Sequence, residues 1–577
     1  MNTFTSQASY PFGLVLFAML LAVYKAVGLI TTMESDWLSL VLLIGLDSVF
    51  LAFLFMLALF QALLHLNSLR FLLVVPLAFL TFYYLVDSFV LLAINEHINL
   101  FEILRYTPER GVVLSFFNTA AYTAILLFLV SMLLFLKATS AVRKAALLLF
   151  LSTSLLAAMA TIYAPRLLRD YAIVNPMNLL EGMEAGEPLV AYSDKEIAFY
   201  SGFRRATASI PASRPNIILL VIESLSSINS QKTSGLPGFL DGFDELSEEG
   251  VLFTNFFANH QASEGGLIAL LGGFQPIHYP TATPYMFDEF AIQASVIAQY
   301  RKQGYFTEFL TNADLAFIGL DHFLNGLGVE RSRGRDEVES MRTAPRIVQD
   351  APSDTYLYQE ALMSVRTLMT SQQPFVLTIA TTSTHLPYTH PDGGVDSPEA
   401  VWEWSTQQLQ TFYSRLSKNG YFENGVLLIT GDHRQMRPLS GAEIERYGGS
   451  ARARVPLLVI GEAYPHGQID ERFFQQSDLL RMLGKIDRAK ERLSPHPVWV
   501  ERYNRKYGRI ELISNLSVFD EADQGRREYR LKVPGNHLEW LDEKPVFARS
   551  VEMTVHGQRS LHQKTRNALN HGLVENQ

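Results

Sequence analysis

The 577-residue sequence predicts a helical membrane domain of five spans followed by an exported α/β domain with a mainly parallel sheet. Three observations carry that prediction. Long apolar runs are confined to the region before about Arg166. Short apolar runs alternating with helical stretches begin at Asn216, the pattern of strands covered on both faces. Polar residues then follow directly on the ends of those short runs, where open parallel sheets bind ligands.

Five stretches approach the roughly 20 apolar residues needed to cross a hydrocarbon core. They are Phe12–Ile30, Leu38–Leu64, Leu72–Ile94, Val112–Leu136 and Ala145–Tyr163. The first lacks a basic leader and a small-residue cleavage site, so it reads as a retained span rather than a signal peptide. Arg70, Lys137, Arg143 and Lys144 fall in alternate connections, which places those loops and the N-terminus in the cytoplasm. Everything after about Arg166 is then outside. Lys25, Asp47 and Asp87 lie within apolar spans, where a lone charge is costly. They are either paired between helices or line a path for a lipid headgroup.

Apolar residues make up 48% of the chain, the mean hydropathy is +0.12, and the net charge is −9. That charge argues against a nucleic-acid partner, which requires clustered Lys and Arg. Cysteine is absent, which removes disulfides, thiolate nucleophiles and Cys-ligated zinc. The predicted divisions are a membrane domain at 1–165, a juxtamembrane linker at 166–213, a catalytic domain at 214–490 and an appendage at 491–577. The appendage alternates apolar pairs with charges at Arg509–Ile513, Tyr529–Val533 and Val546–Met553, and so reads as β-rich with a polar tail.

Candidate core strands are Asn216–Ile222, Phe306–Leu310, Phe375–Ala380, Gly425–Ile429 and Val455–Ile460. Helical stretches between them include Ile292–Gln303, Thr355–Thr370 and Val401–Lys418. Four strands deliver polar groups to one edge: Glu223, Thr311-Asn312, Thr381 to His385, and Thr430-Gly431-Asp432-His433. A carboxylate from one strand end with Asp-His from another makes a divalent-metal site. Oxygen and imidazole ligands together suit Mn²⁺ or Zn²⁺, whereas oxygen ligands alone favour Mg²⁺. The bland alternatives are a solvated loop acid at Glu223 and an ordinary Gly-Asp turn at 431–432. Ser263 sits at the boundary between Ala258–Ala262 and the apolar run Leu267–Leu271. It is either a helix N-cap or a nucleophile, since a helix N-terminus stabilises an alkoxide and binds a phosphate oxygen.

At these residues the chain resembles the lipoteichoic acid synthase branch of membrane phosphoglycerol transferases, within the alkaline-phosphatase/sulfatase superfamily. Pro215 to Ser224 is similar to the family's opening strand with its terminal metal-binding Glu. Thr381-Thr382-Ser383-Thr384-His385-Leu386-Pro387-Tyr388 resembles a segment whose His contacts the substrate phosphate. Thr430-Gly431-Asp432-His433 resembles the metal-binding Asp-His pair, and Ala351-Pro352-Ser353-Asp354 is similar, more weakly, to a further family segment. The resemblance implies one divalent ion, Mn²⁺ before Mg²⁺ or Zn²⁺, bound by Glu223, Ser263, Asp432 and His433, with His385 orienting the phosphate. It implies a ping-pong transfer of phosphoglycerol from phosphatidylglycerol through Ser263 to a hydroxyl of an envelope glycan or glycolipid.

Two departures from that family stand out. Its usual nucleophile is Thr, and its glycerol-phosphate-gripping Trp and Arg are missing near Phe317–Asp321. Asp321 and His322, with Arg331, Arg333 and Arg335, could take over anion binding; otherwise they form a charged surface loop. Ser263 is followed by Glu264-Gly265-Gly266-Leu267, without the Pro and Arg that formylglycine formation in sulfatases needs. The other functions weighed are a phosphoethanolamine transferase, a phosphodiester hydrolase and a non-catalytic membrane-anchored binding protein.

Overall fold

The computed structural model describes residues 10–33, 37–63, 67–94, 97, 192–201, 208–277, 286–292, 294–487, 493–494, 498–502, 509–513, 528–532, 538–540 and 548–570. The chain divides into two units, Met1–Glu184 with Met436–Arg446, and Ala185–Gln435 with Tyr447–Gln577.

In the first unit, three helices coincide with the first three predicted spans: α1 (Tyr10–Met33), α2 (Trp37–Leu63) and α3 (Asn67–Ile94). Two contain stretches long and apolar enough to cross a membrane, Trp37–Leu57 and Val75–Leu92, with a shorter apolar stretch at Phe17–Ile30. The predicted spans Val112–Leu136 and Ala145–Tyr163 lie outside the described residues. Small residues let the helices approach closely, and Ala18, Ala22 and Leu21 of α1 pack on Phe50, Leu54, Leu77 and Tyr84. Lys25 and Asp47 are both fully buried and form an ion pair of 2.5 Å. The Tyr84 hydroxyl donates a 2.7 Å hydrogen bond to Asp47, and the Lys25 ammonium lies 5.4 Å from the centre of the Tyr84 ring. His97 accompanies Asp87 at 2.8 Å. Asp47 and Asp87 therefore both have partners.

The second unit is built on an eight-stranded sheet. Its strands are β1 (Asn216–Ile222), β2 (Val251–Phe253), β4 (Phe306–Thr311), β5 (Arg331–Arg333), β6 (Phe375–Ala380), β7 (Gly425–Gly431), β8 (Leu457–Ile460) and β9 (Gln468–Asp470). A separate two-stranded pair joins β3 (Phe256–Phe257) to β10 (Phe474–Gln475). The order is β5-β4-β6-β1-β7-β8-β2-β9. The first five strands are mutually parallel, whereas β8 runs antiparallel to both β7 and β2. All five predicted core strands are present. The last of them, expected at Val455–Ile460, is the antiparallel one: β8 lies beside β7 and runs against it, with helix Gly441–Tyr447 between them in the chain. Strands of three residues, such as β2, β5 and β9, are too short to show a periodic pattern and were not expected.

Both faces of β1 are covered, and Ile217 to Ile222 are at most 2% exposed. One face packs on helix Asp354–Thr370 through Leu357, Tyr358, Ala361, Leu362, Val365 and Leu368, spaced as one helical stripe. Helix Pro398–Lys418 adds Val401, Trp402, Leu409, Phe412 and Leu416 to the same core. Each such side chain contributes about 1.5–3 kcal/mol on burial. Ser353 and Ser397 cap these two helices, accepting from Thr355 N and Ala400 N, so each helix begins at a defined residue below the sheet edge.

A third sheet, β11-β12-β13-β14 (Val498–Arg502, Arg509–Ile513, Glu528–Lys532, Glu539–Trp540), is an antiparallel meander within the predicted appendage. The predicted third apolar stretch, Val546–Met553, does not join it. Ala548–Asn570 is a 23-residue helix, and the spacing of its buried Ala548, Val551, Val555 and Gln558 is three, four and three. That spacing suits a 3.6-residue repeat rather than a strand, which explains the difference. The helix packs on helix Asp194–Ser201 and reaches the core through Gln558, which donates to Gln275 at 2.8 Å.

Candidate active site

The register of the sheet sets the site. Thr311, Ala380, Val221 and Thr430 lie side by side across β4, β6, β1 and β7. The residues just beyond that level, Asn312, Thr381, Glu223 and Asp432-His433, therefore emerge along one edge. Immediately past Glu223 the chain turns sharply at Ser224, whose φ is +59°. A non-glycine residue there costs about 1–2 kcal/mol. The turn aims Ser224 N at Asp432 Oδ1, to which it donates at 2.8 Å, and Ser224 Oγ donates to Glu223 Oε1 at 2.8 Å. Thr381 Oγ1 accepts from Glu223 N at 3.1 Å, and Thr384 Oγ1 donates to Glu223 O at 2.6 Å. The opening carboxylate is thus held from both neighbouring strand ends.

His433 is fully buried, and its Nδ1 donates to Arg434 O at 2.8 Å. A neutral ring in that tautomer carries its lone pair on Nε2. Nε2 lies 3.5 Å from Glu223 Oε1, 3.4 Å from Asp432 Oδ2 and 3.3 Å from Ser263 Oγ. Ser263 Oγ is 3.1 Å from Glu223 Oε2, completing the four-residue group. Helix Ser263–Leu267 begins at Ser263 itself and has Ala262 at its N-cap, so the Ser263 hydroxyl does not cap the helix; it faces the carboxylates.

Ligand-type atoms of Glu223, Asp432 and His433 lie within 4.8 Å of one another, all in buried residues. Two carboxylates at this spacing repel, and burial followed by the Glu223 charge pushes the Asp432 carboxyl up to about 7. A cation relieves both effects, and the oxygen-nitrogen donor set with a lone-pair imidazole fits a divalent ion.

Glycine makes the close approach. A Cβ on Gly266 would sit 2.2 Å from Asp432 O, and one on Gly265 would sit 2.2 Å from the His260 ring. Helix Ser263–Leu267 can therefore lie directly on the Asp432 backbone. The fully buried Gln476 braces the same loop, with Nε2 donating to Gly431 O and Asp432 O, both at 2.8 Å. The sequence reading missed Gln476, although two adjacent amides opening the Ser477–Leu483 segment were its visible signal. Asp354, at the end of the Ala351–Asp354 segment, is a second brace. Its Oδ1 accepts from Asn312 Nδ2, Thr382 N and Ser383 N at 2.8–3.2 Å, tying β4 and β6 together, and burial raises its pKa.

His385 is buried in the segment after β6, with Nδ1 donating to Leu386 O at 2.6 Å and Nε2 2.5 Å from Gln349 Nε2. Asp321 and His322 stand apart from this group. They are exposed at the start of helix Leu320–Leu327, and Asp321 Oδ1 accepts from His322 N at 2.7 Å. Among the described residues no hydrogen bond connects them to the four-residue group. Arg331, Arg333 and Arg335 are engaged by carboxylates: Glu308 at 2.5 and 2.7 Å for the first two, Glu360 for Arg333, and Asp314, Asp336 and Asp350 at 2.6–3.0 Å for Arg335.

With this geometry in view, residues 215–485 match the sulfatase family model. This part of the chain is a sulfatase-family domain. Two curated relatives align with the chain at low identity. Lipoteichoic acid synthase 1 of Bacillus subtilis (strain 168) is 23% identical over 270 residues, 42% of this chain and 41% of that protein. Phosphoglycerol transferase I of Escherichia coli O157:H7 is 24% identical over 269 residues, 42% of this chain and 34% of that protein. The chain thus spans less than half the length of these relatives. Among solved structures, the lipoteichoic acid synthase LtaP from Listeria monocytogenes superposes with a TM-score of 0.45 at 16% identity, covering 66% of this chain and 98% of that one. The sulfatase-family domain carries the four-residue group entirely within its matched span.

Proposed function

We propose that the chain is a membrane-anchored phosphoglycerol transferase in which Ser263 is the nucleophile. Residues 1–165 form its membrane domain, 166–213 a linker, 214–490 the catalytic domain and 491–577 an appendage, with the catalytic domain facing the periplasm. The observation that carries the reading is the convergence of Ser263 Oγ on Glu223 and His433, at 3.1 and 3.3 Å. The names of the relatives, lipoteichoic acid synthase and phosphoglycerol transferase, support the transferred group.

Glu223, Asp432, His433 and Ser263 would hold one divalent ion, Mn²⁺ foremost. Such an ion supplies charge stabilisation at phosphoryl oxygens and lowers the pKa of a bound hydroxyl. The chain's own residues do the rest. Ser263 Oγ attacks the phosphorus of phosphatidylglycerol, the bond to the diacylglycerol oxygen breaks, and the serine proton leaves with diacylglycerol. An acceptor hydroxyl on an envelope glycan or glycolipid then attacks the same phosphorus, its proton replacing the one Ser263 lost. Two half-reactions of one kind restore the enzyme. His385 would meet the transferred group at the rim of the site, and Asp321 and His322 would contact the substrate further out.

The test uses the full-length protein with fluorescently labelled phosphatidylglycerol and phosphatidylethanolamine, with and without Mn²⁺. Mn²⁺-dependent diacylglycerol release from phosphatidylglycerol is expected, with a phosphoglycerol adduct visible in the intact mass. Ser263→Ala should abolish both, a loss on the order of a thousandfold or more. Release from phosphatidylethanolamine alone would replace the transferred group with phosphoethanolamine. Release with no metal dependence, or undiminished in Ser263→Ala, would refute the mechanism.

A further inference from the structure

We propose that Gln349 is a positioning residue that holds the His385 imidazole as a hydrogen-bond acceptor at Nε2, so that His385 receives a substrate hydroxyl rather than a phosphoryl oxygen. The identity of that hydroxyl rests on the transferase reading above; the role of Gln349 toward His385 does not.

The His385 ring has one proton when neutral, and Nδ1 uses it to donate to Leu386 O at 2.6 Å. Burial pushes the ring's pKa down to about 4, so it is neutral at physiological pH. Nε2 then presents a lone pair, and the Gln349 Nε2 amide lies 2.5 Å away as its donor. With the ring nitrogens engaged in this way, a phosphoryl oxygen at Nε2 would set lone pair against lone pair. A hydroxyl brings the hydrogen that the lone pair requires, and it can take the place of the Gln349 amide.

The backbone around Gln349 is shaped for this presentation. Gln349 and Asp350 both adopt left-handed conformations, with φ of +49° and +56°. Two consecutive non-glycine residues in that region persist only where their surroundings enforce them, and such positions cluster at functional sites. The enforcement is visible here. Ile347 N donates to Ala351 O at 2.8 Å and Ala351 N to Val348 O at 2.9 Å, closing the turn. Arg335 Nη1 donates to both Asp350 O and Asp350 Oδ2 at 2.6 Å, clamping it from outside. Gln349 itself is only half-buried, so an incoming group can displace its amide. This also gives Arg335 a task, as the anchor of the turn that carries Gln349.

Two hydroxyl sources share this chemistry: the glycerol of the transferred group and the acceptor. The experiment separates them. In the full-length protein, Gln349→Leu removes the amide donor, and Gln349→Glu keeps the shape but replaces the donor with an acceptor. Both should lower kcat on the order of tenfold or more while KM for the lipid and the melting temperature stay near wild type. A defect in forming the Ser263 adduct without acceptor assigns the hydroxyl to the transferred glycerol. Normal adduct formation with slow resolution assigns it to the acceptor.

Nitrogen-15 spectra of imidazole-labelled protein, with His385→Gln for assignment, should show a hydrogen on Nδ1 and a bare Nε2. In Gln349→Glu that pattern should change, with hydrogen appearing on Nε2. Wild-type kinetics in both variants, or a hydrogen on Nε2 in the wild type, overturns the proposal. If the wild type turns over neither lipid, the transferase reading fails, and the spectra still decide the role of Gln349.

Discussion

Among the described residues, two of the buried groups that contain carboxylates are built on opposite principles. Between α1, α2 and α3, Asp47 is met by the Lys25 ammonium at 2.5 Å and the Tyr84 hydroxyl at 2.7 Å. At the sheet edge, Glu223 and Asp432 share their space with the His433 imidazole, whose Nε2 lies 3.5 and 3.4 Å from them, and with the Ser263 hydroxyl. The first cluster carries its own positive charge and is complete as folded. The second concentrates negative charge in buried residues, with no Lys or Arg ion pair to either acid among the described residues. A buried acid with a lysine beside it reads as architecture; two buried acids with lone pairs converging on one point read as a receptacle.

That contrast can be broken by substitution. The largest effect is expected at Asp432. Asp432→Asn should reduce lipid turnover on the order of a thousandfold while leaving the melting temperature of the metal-free protein unchanged or raised, because it removes like-charge repulsion. Differential scanning fluorimetry alongside the turnover assay reads both, and a marked drop in metal-free stability would mean that Asp432 is structural. Lys25→Met should do the reverse. It strands Asp47 in a buried site, at a cost of about 3–5 kcal/mol in the helical unit. Turnover per folded molecule should stay near wild type, and Lys25→Met with Asp47→Leu should recover much of the stability. Loss of turnover in the stable double variant would give the pair a direct part in transfer.

The smallest effect is a slope with pH. The Asp432 pKa is raised, to about 7, so the folded metal-free protein holds a proton that the unfolded chain releases near 4. A raised acid is stabilising at low pH, and that contribution is lost as pH climbs from about 4 through about 7. Protein treated with a chelator should therefore melt at progressively lower temperature across that window, and Mn²⁺ should flatten the curve. A flat curve without metal would show that the carboxylates do not repel in the folded state.

How much of this was legible beforehand depended on the length of the signal. β1, β6 and β7 were readable because uninterrupted apolar runs end in polar clusters, and parallel register then carries those clusters to one edge. Glu223, Asp432 and His433 were readable for the same reason, and Ser263 from its place just before the apolar run Leu267–Leu271. Gln349 was not, because its importance lies in a left-handed backbone and a contact 36 residues away in sequence, neither of which leaves a periodic trace. Gln476 reaches the backbone of Gly431 and Asp432 from about as far away. The final helix was misread because its buried stripe mixes Val551 and Val555 with Ala548, Gln558 and Ser560, so few large apolar residues mark its helical period.

That last helix has a consequence for how the protein is made. Gln563 Oε1 accepts from Tyr192 N at 2.6 Å, and Gln563 Nε2 donates to Tyr192 O at 3.0 Å, so one side-chain amide fastens both backbone groups of a residue 371 positions earlier. The ribosome makes Tyr192 first. At about 5–20 residues per second, that fastening waits roughly 20–70 s for its partner to be synthesised. Throughout that interval the lead-in to the domain stays open at Tyr192, and this clasp closes only once Gln563 has been made.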